Sequence, residues 1–272
     1  MPATATEPDP QDTAAPVLAL GPRPDTPSVG LVVPYDFALD RELWGWCPPQ
    51  ADLHVTRTPH LPLEVGLAQA RAVGAPGALT QAVHDLSTVR PDALAYCCTS
   101  GSFVGGLAGE LALRETMLEA GAPRAVTTSG ALLSALAVLQ VRRVTVVTPY
   151  DEAVTASLSQ FLVEAGVAVV SAGHLGLTHA IWTVREEVTA ALVRSTVVAT
   201  AEAVFVSCTN LRSYPVLAPL EAELGIPVLS ANQVTLWQAL DLLGLAAVGA
   251  GQSLLDRSAT GSRHTPSTEV LP

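Results

Sequence analysis

The chain repeats itself, and the repeat fixes what kind of fold it can adopt. Val32-Val33-Pro34-Tyr35-Asp36 recurs as Val146-Val147-Thr148-Pro149-Tyr150-Asp151, with one inserted Thr. Ala93-Leu94-Ala95-Tyr96-Cys97-Cys98-Thr99 recurs as Ala203-Val204-Phe205-Val206-Ser207-Cys208-Thr209. Gly121-Ala122-Pro123, a strand-like stretch ending at Ser129 and a Leu-rich helix recur as Gly225-Ile226-Pro227, Ser230 and another such helix. Three matches in the same order at a nearly constant offset point to two homologous α/β halves. Any strand–turn–helix unit resembles any other, but that likeness does not require a Cys-Thr at both equivalent places.

Short unbroken apolar runs mark the strands: Val29–Val33, Leu53–Arg57, Ala93–Tyr96, Ala125–Thr127, Arg143–Thr148, Val167–Ser171, Ala203–Ser207 and Val228–Ser230. Such runs fit strands covered on both faces. Helical patterns lie between them at Phe103–Ala120, Gly130–Gln140, Glu152–Ala165, Val184–Ala201, Pro215–Leu224 and Val234–Leu243. Regular alternation implies parallel sheets with right-handed crossovers. Residues 1–27 and the tail from Gly251 are rich in Pro, Ser, Thr, Gly or Asp and lack periodicity, so they read as a disordered leader and a flexible tail.

Composition narrows the chemistry. The chain has 272 residues, 49% hydrophobic, with a net charge of −11, which argues against nucleic acid and anionic membrane surfaces as partners. No apolar run is long enough for a membrane span, and no secretory signal is evident. Four cysteines, two of them adjacent, do not read as a disulfide framework; a reducing, cytoplasmic setting fits better. All 14 basic residues are Arg, so neither a pyridoxal-phosphate Schiff base nor a Walker-A loop can form. There is no dinucleotide fingerprint and no metal-ligand spacing. Neither a cofactor nor a metal is expected, and side chains must do any catalysis.

In parallel sheets, ligands bind beyond the carboxyl ends of the strands. Tyr35, Asp36, Cys98 to Ser102, Thr127 to Ser129, Tyr150, Cys208 to Asn210, Ser230 and Asn232 all fall there. Turns and helix caps account for the Ser, Thr, Asp and Asn but not for the paired cysteines. A thiol at a helix start gains from the dipole and free N–H groups, which predicts a pKa lowered toward neutrality. Thr99, Ser100 and Thr209 could hold a carboxylate beside it. One thiol on each face could remove and return a proton, or one could add to an activated double bond. Cys97, turned away by strand alternation, and Cys47, beside Trp46 and Pro48, read as packing.

With these motifs the chain resembles the aspartate/glutamate racemase superfamily. The nearest branch holds maleate cis-trans isomerase, arylmalonate decarboxylase and a racemase-like protein of ectoine catabolism. The resemblance runs from about Gly30 to Gly244. It is carried by Tyr96 to Ser102, Thr148-Pro149-Tyr150, Val206 to Arg212, and Ser230-Ala231-Asn232-Gln233 followed by Leu236-Trp237. It implies an α/β fold of two pseudo-symmetric halves, each a short parallel sheet flanked by helices, with the active site in the cleft between them. The last helix crosses back, so residues 28–128 with 231–250 form one half and 129–230 the other.

The resemblance implies a cofactor-independent isomerase or racemase of a small carboxylic or amino acid, commonly a homo-oligomer. Cys98 matches the thiol that adds to the alkene, and Cys208 the one that handles the proton on the opposite face. Tyr150, Thr99, Ser100, Thr209 and, by a looser match, His179 correspond to substrate contacts; Tyr35 and Asn210 lie in the same turns. Arylmalonate decarboxylase has no thiol at the first-half position, so keeping both favours isomerisation or racemisation over decarboxylation. A non-catalytic carboxylate-binding protein is the remaining alternative. The isomerases carry an Asn where this chain has the Tyr35-Asp36 turn. Asp36 either caps the next helix or enters the site, where it would repel a dicarboxylate and suit an ammonium group.

Overall fold

The computed structural model describes residues 26–261, with side chains for 26–257. The expected leader lies almost wholly outside these residues. Two four-stranded, all-parallel sheets form the frame, with strand orders β2-β1-β3-β4 and β6-β5-β7-β8. The first contains β1 (Ser28–Val33), β2 (Asp52–Arg57), β3 (Ala93–Tyr96) and β4 (Ala125–Thr127). The second contains β5 (Arg143–Thr148), β6 (Ala168–His174), β7 (Ala203–Val206) and β8 (Val228–Ser230). The orders are identical, so each strand has a counterpart and the duplication is structural. The inner strands β1, β3 and β7 are buried at every residue, the reason their sequences are continuous apolar runs. Edge strands β2 and β6 alternate or are half-exposed.

The strand-to-helix turns are closed by their own polar residues. Cys98, Thr127, Asp151 and Ser230 cap α4 (Thr99–Phe103), α6 (Thr128–Val138), α7 (Glu152–Glu164) and α10 (Ala231–Asp241), each side chain accepting a backbone N–H three residues on. Ser230 and Gln233 complete a reciprocal capping box. Helices α6 and α10, which follow the last strand of each sheet, pack on one another, and α10 also reaches β3 and β4. Thr235 Oγ1 donates to Thr128 Oγ1 at 2.9 Å, and Gln238 Nε2 to Ser134 Oγ at 2.8 Å. The main core is continuous across both halves.

Several elements differ from the sequence expectation. The helix expected over Phe103–Ala120 is broken into α4 and α5 (Gly106–Glu119), with Gly106 at φ +68°. Helix α8 (Glu186–Thr196) stops five residues before Ala201. Three helices form where the sequence pattern predicts none: α1 (Asp40–Trp44), α2 (Leu67–Val73) and α3 (Pro76–Ser87). The first two are too short to show a period. Between α8 and β8 lies α9 (Tyr214–Leu224). The flexible tail expected from Gly251 is corrected over α11 (Ser253–Gly261). Leu254 and Leu255 are buried there, and Gln252 accepts from Trp46 Nε1 at 2.8 Å and from Gln233 Nε2 at 2.7 Å.

Candidate active site

Both cysteines stand where the matched strands end, β3 for Cys98 and β7 for Cys208, and both face one small cavity between the halves. Its walls also include Asp36, Thr99, Ser100, Tyr150, Thr209 and Asn210. The cavity measures about 30 Å³, room for little more than a water. Tyr35 and His179 lie elsewhere. They line an outer pocket of about 320 Å³, which shares Asp36 and Val65 with the inner cavity. Tyr35 Oη donates to Leu63 O at 3.2 Å and its ring meets His60 edge-on, while His179 Nδ1 lies 3.3 Å from Thr178 Oγ1.

Cys98 is 4% exposed and Cys208 8%. Gly101 N donates to Cys98 Sγ at 3.4 Å, and Ser100 Oγ lies 3.9 Å from it. The buried Tyr96 hydroxyl lies beside the same sulfur, outside good hydrogen-bond geometry, and still favours the thiolate. A Cβ at Gly101 would run into that hydroxyl and touch Cys98 Sγ, so only glycine fits the turn. On the other side Asn210 N donates to Cys208 Sγ at 3.4 Å, and the Tyr150 hydroxyl faces the same thiol.

The expected low thiol pKa is overturned. Burial raises Cys98, with hydrogen bonding from Gly101 opposing it, and burial pushes Cys208 up to about 12. Desolvation disfavours the thiolate more than a five-residue helix can favour it. Both thiols are therefore protonated at neutral pH. Burial likewise raises Tyr150 and Tyr96, and lifts Cys97, behind the sheet, and half-buried Cys47, the latter to about 11.

Cys208 has φ +88°, a region costly for any residue with a Cβ. Surrounding bonds hold it there. Asn232 Nδ2 donates to Thr209 O at 2.9 Å, Thr209 Oγ1 to Cys97 O at 3.2 Å, and Leu211 N to Cys208 O at 3.2 Å. Asn210 bridges the halves: its Oδ1 accepts from Ala38 N at 3.0 Å and its Nδ2 donates to Asp36 O at 2.9 Å. That amide, expected at the substrate, is spent largely on the scaffold. Glu42, from α1, accepts from Ser213 N and Oγ and from Asn232 Nδ2, tying the same turn to the first half.

Asp36 caps nothing, for α1 begins after Leu39 without a side-chain cap. Thr99 Oγ1 is buried in the cavity wall without a partner. Phe37, Val65, Gln69 and Ile181 also line the cavity, and the sequence reading missed them. Gln69 belongs to α2, whose brief Leu67-Ala68-Gln69-Ala70 pattern flanked by Gly66 was the available signal. No group of three or more His, Cys, Asp or Glu able to hold a metal occurs among the described residues.

Known proteins share this architecture. The family model described as arylmalonate decarboxylase matches residues 76–255. The chain is 28% identical over 227 residues to the arylmalonate decarboxylase of Bordetella bronchiseptica, covering 80% of this chain and 91% of that protein. It is 29% identical to the maleate isomerase of Nocardia farcinica, covering 65% and 74%. Among solved structures, a liganded arylmalonate decarboxylase mutant, with one glycine changed to cysteine and one cysteine to serine, superposes with a TM-score of 0.77 at 25% identity, covering 85% of this chain and 99% of that one. Nocardia farcinica maleate cis-trans isomerase bound to TRIS gives the same TM-score and identity over 86% and 99%. With two matched four-stranded sheets closing on one cavity, the chain is a member of the arylmalonate decarboxylase family, in which it resembles decarboxylase and maleate isomerase alike.

Proposed function

We propose that the protein is a cofactor-independent isomerase or racemase of a small carboxylic acid, with Cys98 and Cys208 as a facing pair. The observation that carries this reading is the shared cavity, lined by one thiol from each half. A decarboxylase needs only one proton donor, because loss of CO₂ itself creates the carbanion. A second thiol in the same wall has work to do only if a bond is made or a proton moved on each side.

The two thiols are not equivalent. Gly101 N–H, Ser100 Oγ and the Tyr96 hydroxyl surround Cys98 and oppose the effect of burial, while burial holds Cys208 up at about 12 despite Asn210 N–H and the Tyr150 hydroxyl. Cys98 is suited to attack and Cys208 to give a proton. In a maleate-type reaction, Cys98 thiolate adds to one alkene carbon while Cys208 protonates its neighbour. Rotation about the former double bond, now single, follows. Loss of that proton to Cys208 and of the thiolate then yields the other isomer. In racemisation, one thiolate takes the α-proton and the opposite thiol supplies another. The free Thr99 hydroxyl, with Ser100, Thr209 and Tyr150, would hold the carboxylate and steady enolate-like charge.

Incubation with small mono- and dicarboxylic acids in D₂O, followed by NMR, tests the reading. Isomerised or deuterated acid is the expected result, lost in both Cys98→Ser and Cys208→Ser. In the alkene pathway Cys208→Ser should still gain the substrate's mass through Cys98. Release of ¹³CO₂ from a labelled malonate, with no isomerisation of any acid, would assign the decarboxylase reaction instead. Ligand binding without turnover, unchanged in both serine variants, would leave only a binding protein.

A further inference from the structure

Asp36 faces the cavity with nothing positive opposite it. No Arg or His lines that cavity, and the chain has no Lys. Among the described residues Asp36 makes no ion pair, and burial raises its carboxyl pKa, opposed by its own backbone N–H. Its backbone is fixed, since Asn210 grips Asp36 O and Ala38 N from the turn that carries Cys208. The Asp36 backbone is therefore tied to the second thiol's loop. Its charge acts on both sulfurs, raising Cys98 and Cys208 beyond what burial alone does.

This arrangement is wrong for a purely anionic ligand. A dicarboxylate would bring two charges into a dry site that already holds a carboxylate and must develop a thiolate. Like charges a few ångströms apart in a partly screened site weaken binding on the order of a hundredfold. A ligand that carries its own cation reverses the sign: it neutralises Asp36 and lowers the electrostatic cost of the Cys98 thiolate. The outer pocket adds Glu64 to Asp36 in its wall and holds no Arg, with His60 and His179 also lining it.

We propose that the substrate is a small carboxylic acid bearing an ammonium group, and that Asp36 is the residue that selects it. The proposal rests on the two-thiol reading of the site. The carboxylate would lie against the Thr99 and Thr209 side and the ammonium against Asp36, with the reacting carbon between the sulfurs. Maleate itself would then be a poor ligand, although relatives are named for it.

The test compares amino acids of both configurations with the same acids lacking the amino group, such as aspartate against succinate and alanine against propionate. Binding is read by titration calorimetry, and α-hydrogen exchange in D₂O by NMR. In the native protein at least one amino acid should bind tenfold or more tightly than its counterpart. In Asp36→Asn that preference should vanish and maleate or succinate should bind better. A panel without any ammonium preference, or a preference that survives Asp36→Asn, overturns the proposal. Turnover of maleate by both thiols, unaffected or slowed by Asp36→Asn, overturns it while leaving the two-thiol reading standing. Asp36-dependent amino-acid binding that persists in Cys98→Ser and Cys208→Ser, with no exchange in the native protein, does the reverse.

Discussion

Cys208 and Cys98 show how one residue's properties come from its surroundings. Burial holds both thiols protonated, with Cys208 at about 12. The thiolate needed to start the reaction is scarce at neutral pH and grows with alkalinity. We predict that kcat/KM rises close to tenfold per pH unit from pH 7 as Cys98 ionises, until the substrate's ammonium group begins to deprotonate. A pH–rate profile checks this; a plateau already present at pH 6 would contradict it. Iodoacetamide labelling of Cys98 should climb with the same dependence. The strained φ of Cys208 makes a second prediction. Cys208→Gly should be more stable than Cys208→Ala by about 1 kcal/mol, since glycine alone is at ease there, while both are inactive. Chemical denaturation measures the difference. The paired thiols were legible in the repeat. Their ionisation was not, because desolvation depends on atoms from both halves.

At the level of elements, the matched strand ends place the thiols, and side chains from the opposite half lock them. Asn210 joins the Cys208 turn to residues 36 and 38, across 174 and 172 positions of sequence. Removing its amide leaves two backbone groups unpaired. Asn210→Ala should cost about 2–4 kcal/mol and lower kcat more than it raises KM; denaturation and steady-state kinetics separate the two effects. Glu42 makes a comparable link between α1, Ser213 and α10. Burial raises its carboxyl pKa, with the Ser213 and Asn232 hydrogen bonds opposing it. The folded state therefore favours the protonated form. Its stabilisation is present below the unfolded carboxyl pKa and fades as pH rises through the elevated folded value. Glu42→Gln should flatten the stability–pH curve over that interval, as thermal unfolding across about pH 4–8 will show.

For the whole molecule the main fact is how little space the two halves leave at the thiols. The cavity at the thiols measures about 30 Å³, and the 320 Å³ pocket outside shares two of its wall residues. Val65 N donates to Thr178 O at 2.8 Å, a bond from the first half to the second at this boundary. A ligand that fills the site should stabilise the protein by about 2.7 kcal/mol at a hundred times its Kd, a Tm rise of roughly 5–10 °C. A binder found by calorimetry that leaves Tm unchanged would place its site elsewhere.

The sequence by itself determined the doubled α/β plan, the eight strands and the twin thiols. These depend on local apolar runs, strand-end polar residues and a repeat visible without coordinates. Tertiary structure alone decided that Asp36 enters the cavity instead of capping α1, that Tyr35 and His179 stay in the outer pocket, and that the Asn210 amide is committed to the scaffold. It also decided that Ser253–Gly261 is helical, since Leu254 and Leu255 find a core that their polar neighbours conceal. The division has one physical cause. Strand and cap signals are local, whereas burial, charge partners and hydrogen-bond commitments are set by residues far away along the chain.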